Sequence, residues 1–415
     1  MGTAPVETAR ALGERYDSGL GVSATRQRTH TAVGWVCLSI VFVLVLELTC
    51  RIEDWVTYRT PLLSRFTTIN DLVIRDADGM HGRPNARFQK WVMNDLGVRG
   101  PAASAIPAEG TIRVITVGAS ETFGLRESTG REYPRQLEDS LNARSGSATC
   151  ASSSRVHFEV LNAGIAGMTL PTIDQDVRNR LKRFRPAIIV VYPNPAQYLD
   201  QAVPSEAMPD SSGSDAGPPL RASLRPRLFD RMRERTKNLL PDYVKTLIRQ
   251  MQTRGRINEH PVDWRFTDVP VERLAQYEND LRHLVGTIRR QGATPILATH
   301  GNMFMGGRKN PDPYALVAWE MFYPRATGPT IIAVDSVARL ATLRVGKDSA
   351  VVTVDAAERL AAAPLRAFGD FVHFTDFGSS HMADAVANGV LVAARERAGC
   401  SVSDTGRAAT QHNAR

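Results

Sequence analysis

Cysteine is scarce in this chain. Its 415 residues hold four, Cys37, Cys50, Cys150 and Cys400, with no paired C-x-x-C spacing, so the sequence offers no pattern for a structural zinc site. Cys150 and Cys400 can form a disulfide only if their domain lies in an oxidising compartment, and two unpaired thiols are the alternative. No internal repeat is present, which sets repeat architectures aside. A diffuse charge of one sign is lacking as well. The formal net charge is +8, yet Arg221 to Arg256 alone holds eleven Lys/Arg against three acids, so the remainder is about neutral. Long apolar runs are missing everywhere except near the N-terminus.

What remains is globular composition, 43% hydrophobic and 23% charged, long enough for one large or two ordinary domains. Residues 1–30 are polar, mixed in charge and without apolar periodicity, which predicts a flexible tail. Residues 31–50, TAVGWVCLSIVFVLVLELTC, reach the roughly 20 residues a spanning helix needs. Glu47 sits near the far end of that run, where a carboxylate can reach headgroups, and Trp35 and Trp55 lie near the two interfaces. No A-x-A-like cleavage site follows, so an uncleaved transmembrane anchor is the reading, ahead of a cleaved signal and a buried soluble helix. Arg26 and Arg28 have no neighbouring acid, whereas Glu53 and Asp54 follow Arg51. That asymmetry puts the N-terminus in the cytoplasm and the rest outside, in a bacterium the periplasm or cell surface. Residues 51–110 read as a connector, including MHGRPNARF and the turn-rich NDLGVRGP.

The informative stretch is TIRVITVGASETFGL, Thr111 to Leu125. A β-branched run, Thr111 to Val117, predicts a strand buried on both faces, ended by Gly118. Ser120 then stands at a strand-to-helix corner, where open α/β sheets bind ligands and where backbone N–H groups can face developing negative charge. An N-cap serine is the plainer reading of the same position. Further strands are predicted at Val156–Leu161, Ala187–Tyr192, Thr294–Thr299 and Ala350–Val354, alternating with helices. The second runs into NAGIAGM with Gly164, and the third ends at Asn194. That alternation predicts an α/β fold with a doubly wound, mainly parallel sheet. Residues 201–260 interrupt it with a Pro/Ser/Gly/Asp-rich loop and a basic helix pair. The pair fits an insertion or lid, and its face suits an anionic surface; a solvated basic face is the alternative. Residues beyond Cys400 read as a disordered tail.

A serine hydroxyl needs a base, and the base needs a partner that fixes its tautomer. His373 lies three residues after Asp370 on a loop before the final helix, so one loop can deliver both. Ser120 N–H, Gly164 N–H and the Asn194 amide would then serve a forming oxyanion. Asp376 and His381 are a competing acid–histidine pair. His300 reads as a strand-end or pocket-rim residue, and Glu121 as a charge at a helix start. The order of these blocks resembles the SGNH (GDSL-like) hydrolase family, whose motifs run Ser, Gly, Asn, then D-x-x-H. By that resemblance Ser120 is the nucleophile, Gly164 and Asn194 are oxyanion donors with the Ser120 N–H, and Asp370 with His373 completes the triad. It implies a flavodoxin-like three-layer fold from 111 to about 399, and no cofactor or metal. NDLGVRGP is similar to what precedes the serine block in membrane-anchored bacterial members. Two departures stand out: Ala119 replaces the family's aspartate, and Tyr192 and Pro195 replace the glycine and aspartate of the third block.

The resemblance and the compartment together imply a serine esterase acting on an acyl group, such as an O-acetyl, of a cell-envelope glycan or other ester. An O-acyltransferase using the same triad, or a non-catalytic glycan-binding or envelope-assembly protein, are the alternatives. A domain outside the cytoplasm meets no nucleic acid.

Overall fold

A computed structural model describes residues 7–145, 156–200, 225–306 and 312–397. Cys150, Cys400, the loop at 201–220 and the tail beyond Cys400 lie outside the described residues. The chain divides into two compact units, Met1–Leu63 with Arg225–Thr236, and Ser64–Leu224 with Lys237–Arg415.

The first unit is built on one helix, α1, Glu7–Tyr58. Residues 7–30, expected as a flexible tail, are helical. Ala, Leu, Glu and Arg, all good helix formers, recur there.

In the second unit the stretch expected as a connector carries two antiparallel hairpins, β1 (Val73–Asp76) with β2 (Gly79–Gly82), and β3 (Arg87–Phe88) with β4 (Trp91–Val92). They belong to the globular unit because Leu72, Met80, Met93 and Val98 bury their side chains in its core. The central sheet then forms from β5 (Thr111–Gly118), β6 (His157–Asn162), β7 (Ile188–Tyr192), β8 (Thr294–Ala298) and β9 (Val352–Val354). All four pairings are parallel, in the order β6-β5-β7-β8-β9. Counted along the chain that is 2-1-3-4-5, the doubly wound order whose ligands bind where the strand order reverses.

Alternation along the strands divides the core in two. Val114, Val160, Ile188, Val190 and Ile296 face one layer, with α3 (Tyr133–Ser145). Ile115, Val117, Leu161, Ile189, Val191 and Leu297 face the other, with α4 (Leu170–Asn179). A strand places successive side chains on opposite faces, so an unbroken apolar run serves both layers. Three further helices, α5 (Gln197–Asp200), α6 (Arg227–Leu239) and α7 (Asp242–Asn258), follow β7, and the Arg225–Thr236 part of the basic stretch groups with α1. The helix α8 (Val271–Arg290) covers the second layer. The single helical region expected from 313 to 343 is two helices, α9 (Pro313–Phe322) and α10 (Gly328–Asp348), the second opened by a Thr327 cap and a first-turn proline. After α11 (Ala356–Ala362), α12 (Asp376–Arg397) returns to the first layer.

The corner after β5 depends on an absent side chain. A Cβ at Gly118 would lie 2.2 Å from Thr122 Oγ1 and 2.6 Å from the Tyr192 carbonyl oxygen. Gly118→Ala is therefore expected to lower unfolding free energy by about 1–3 kcal/mol, as overpacking does, measured by chemical denaturation. Unchanged stability would mean that the corner opens freely.

Candidate active site

The chain leaves β5 at Gly118 and begins a one-turn helix, α2 (Ser120–Phe123), with Ser120 as its first residue. Two neighbouring segments hold that turn. The loop after β6 approaches so closely that a Cβ on Gly164 would lie 2.7 Å from Thr122 Cβ and 2.8 Å from the Phe123 amide nitrogen. Glycine there is a packing requirement, since any larger residue would push α2 away. From the other end, Arg99 donates 2.6 Å to the Gly124 carbonyl and also bonds the Phe123 carbonyl, filling the open end of the turn. Arg99 is buried and pairs with buried Glu132. It lies in NDLGVRGP, where Asn94 Oδ1 accepts the Leu96 and Val98 amides to make the turn. The turn is legible in the sequence of this segment, whereas the role of Arg99 depends on partners distant along the chain.

His373 reaches Ser120 from the loop before α12. Its Nε2 lies 2.8 Å from Ser120 Oγ, and its Nδ1 lies 2.9 Å from both oxygens of Asp370. An ionised carboxylate only accepts, so Nδ1 carries the proton and Nε2 is left as the acceptor for the serine hydroxyl. Asp370 is itself held by the His373 amide at 2.9 Å and by Arg126 Nε at 3.0 Å. Burial raises the Asp370 pKa, but the hydrogen bond and charge of His373 outweigh it and bring it down to about 2. Burial likewise opposes charging of His373, while the Asp370 bond and charge, and then the charge of Glu121, hold its pKa above the ordinary histidine value. The competing pair does not assemble: Asp376 accepts the Ser128 amide, and His381 bonds the Phe377 carbonyl and packs on its ring within α12.

Of the three expected oxyanion donors, the Ser120 N–H makes no hydrogen bond within the protein among the described residues. The other two stand at the adjacent strand ends, but each is engaged. The Gly164 amide donates to Asn162 Oδ1 at 3.1 Å, and Asn194 Nδ2 donates to Glu121 Oε1 at 2.7 Å.

Glu121 does charge the first turn of α2, as its position suggests, but it has further partners. It is buried and forms the middle of a polar chain lying beneath the serine. Ser120 Oγ is 3.3 Å from its Oε2, and His300 Nε2 is 3.3 Å from its Oε1. His300 Nδ1 lies 2.6 Å from Asp335 Oδ1, and Asp335 also accepts from Asn302. His300 is thus a strand-end residue, just past β8, and not a rim residue. It is 2% exposed, and the ring of Tyr192 stacks on it at 5.4 Å. Burial would discharge it, but the two carboxylates raise its pKa from 6.5 to about 10. Burial would protonate Glu121, and the His300 bond and charge, with His373, hold it below the usual carboxylate value. His300 is therefore the cation of this chain, set between the carboxyl groups of Asp335 and Glu121.

No family model matches the chain, and no curated protein matches it. Solved structures similar to it include a protein described as lipolytic and of the G-D-S-L family from Desulfitobacterium hafniense DCB-2, 11% identical, over 67% of this chain and 98% of that one, with a TM-score of 0.37. Axe2, an acetylxylan esterase from Geobacillus stearothermophilus, is 14% identical over 67% of this chain and 94% of its own, with a TM-score of 0.38. The acetyl xylan esterase AlAXEase is 12% identical over 67% of this chain and all of its own (100%), with a TM-score of 0.37.

Replacing His300 tests the buried chain. A histidine whose folded pKa exceeds its unfolded one contributes stability that is full below about 6.5 and is lost as pH rises towards about 10. His300→Gln leaves two buried carboxylates without their cation, so unfolding free energy at neutral pH should drop by about 3–5 kcal/mol. The alkaline decline of the native protein over that window should vanish in the variant. A variant as stable as the parent, with the same alkaline decline, would mean that His300 is neutral in the fold.

Proposed function

We propose that this protein is a serine ester hydrolase of the SGNH (GDSL-like) type, held to a membrane by α1 and facing outward. The substrate class is an acyl ester, O-acetyl first, on a cell-envelope glycan. One observation carries the reading: the continuous hydrogen-bonded chain Ser120–His373–Asp370 at the carboxyl edge of a 2-1-3-4-5 parallel sheet. Support for the anchor is the helix segment Ala32–Tyr58, 27 residues long and containing an 18-residue stretch of mean hydropathy 2.3, long and apolar enough to cross a bilayer.

In this reading Ser120 Oγ attacks the acyl carbon while its proton passes to His373 Nε2, and the carbonyl electron pair moves onto oxygen. The oxyanion takes the Ser120 N–H first. Gly164 N–H and Asn194 Nδ2 join it as their bonds to Asn162 and Glu121 are shared or released. Collapse breaks the bond to the alcohol oxygen, which leaves with the proton from His373. Water then adds to the acyl-serine with His373 again as base, releasing the acid and restoring the hydroxyl. A sugar hydroxyl in place of water makes the same site an O-acyltransferase.

The engaged Gly164 and Asn194 donors favour a second reading, a non-catalytic glycan-binding protein of the envelope. A fluorophosphonate probe separates the two, because a working triad is labelled at Ser120 and a binding site is not. The full chain in detergent should hydrolyse p-nitrophenyl acetate, and Ser120→Ala should lower kcat/KM by about a thousandfold or more. Equal rates in both proteins would remove the enzyme reading. The base must be neutral to act, and its partners raise the His373 pKa. The acid limb of kcat/KM against pH should therefore fall above the ordinary histidine value of about 6.5. Asp370→Asn should move that limb to lower pH and reduce the rate; an unmoved limb would assign it to another group.

A further inference from the structure

The last turns of α1 present two different faces. Leu48, Ile52, Trp55 and Val56, spaced i, i+4, i+7 and i+8, are 44–56% exposed. Glu47, Arg51 and Asp54, at i, i+4 and i+7, form a polar stripe on another side. That stripe is covered by the start of α6, which belongs to the same compact unit through Thr236. Glu47 Oε1 accepts from Arg51 Nε at 2.6 Å, and its Oε2 accepts from the Leu228 amide at 2.9 Å, capping the first turn of α6. Arg51 also donates to the Arg225 carbonyl at 3.0 Å, and Arg231 bonds Asp54.

The covered stripe begins one residue after the apolar run ends at Leu46, and the apolar face continues past it to Val56. The segment of α6 against the stripe therefore lies at the level of the bilayer boundary. Its inward face, Arg227 and Arg231, is spent on α1. Its outward face repeats at i, i+3 and i+4: Phe229 is 70% exposed, Met232 56% exposed, and Arg233 is exposed with no ion pair among the described residues. Two large apolar side chains beside a free guanidinium are what an interfacial helix offers to acyl chains and lipid phosphates.

We infer that the first turns of α6 form an in-plane membrane helix, with Phe229 and Met232 in the acyl boundary and Arg233 at the phosphates of anionic lipid. This rests on the reading of α1 as a bilayer span. Glu47 is explained by it: the carboxylate ends the apolar run because it caps the helix that lies on the membrane.

The test uses the full chain with single cysteines, the other native cysteines replaced by serine, reconstituted in phosphatidylethanolamine–phosphatidylglycerol vesicles and labelled with an environment-sensitive fluorophore. Circular dichroism checks each variant's fold. Native Cys37, within the apolar run, reports the span itself, and Phe229→Cys, Met232→Cys and Glu234→Cys report α6. A lipid-chain nitroxide should quench positions 37, 229 and 232 severalfold more than 234. Quenching at 37 with 229 and 232 as weakly quenched as 234 would overturn the inference and leave the anchor standing. Weak quenching at 37 would overturn the anchor and this inference with it.

Discussion

A 2.8 Å hydrogen bond joins Ser120 to His373 across 253 residues of chain, and the rest of the fold can be understood as what makes that contact possible. Local structure places neither residue near the other. Ser120 is fixed by β5, the centre of the strand-order reversal, and His373 by a loop whose following helix packs on the first layer of the sheet. A sheet wound in both directions from β5 leaves the carboxyl end of that strand open to a loop this late in the chain. The Gly118 and Gly164 positions then decide whether the serine can stand clear. Both are points where backbone passes so near α2 that a single methyl would displace it.

Beneath the serine lies a second electrostatic structure, which follows from a buried carboxylate beside a hydroxyl. Glu121 at 1% exposure needs a counter-charge, and His300, itself between two carboxylates, supplies it. Tyr192, which departs from the block the sequence resembles, has a place here: its ring lies on His300, and its hydroxyl accepts the Gly301 amide at 3.1 Å. The chain also grips the Asn194 amide, so the same carboxylate touches Ser120 and one proposed oxyanion donor. Two acid–histidine pairs thus meet at one serine, His373 facing its hydroxyl through Nε2 and His300 held as a cation between two carboxylates.

The sheet was legible because short β-branched apolar runs suit strands buried on both faces, and Ser120, Gly164 and Asn194 follow three of them, with Asp370 and His373 together on a later loop. What was not legible depends on distant partners. Nothing near Glu121 in the sequence shows that it meets a histidine 179 residues away. Arg113 sits in the middle of an apolar strand, where it looks out of place, and is buried because Glu159 and the carbonyls of Ser104, Ala105 and Phe184 take its donors. The hairpins at 73–92 escaped notice because their strands are two to four residues long and carry no alternation. The capping threonine Thr327, with a proline in the turn after it, does mark the break between α9 and α10 in the sequence itself.

The two compact units follow the same rule for charges in apolar surroundings. In the second, a buried carboxylate beside the serine is neutralised by a histidine from a strand end. In the first, Glu47 at the end of an apolar helix is neutralised by Arg51 one turn on and by the open end of another helix. Neither carboxylate would tolerate a neutral neighbour in place of its partner, because an uncompensated charge in such surroundings costs more than the fold can supply. An acid that loses its water is therefore the most informative residue in each: in one unit it points to the histidine beneath Ser120, and in the other to the helix that covers the polar stripe of α1.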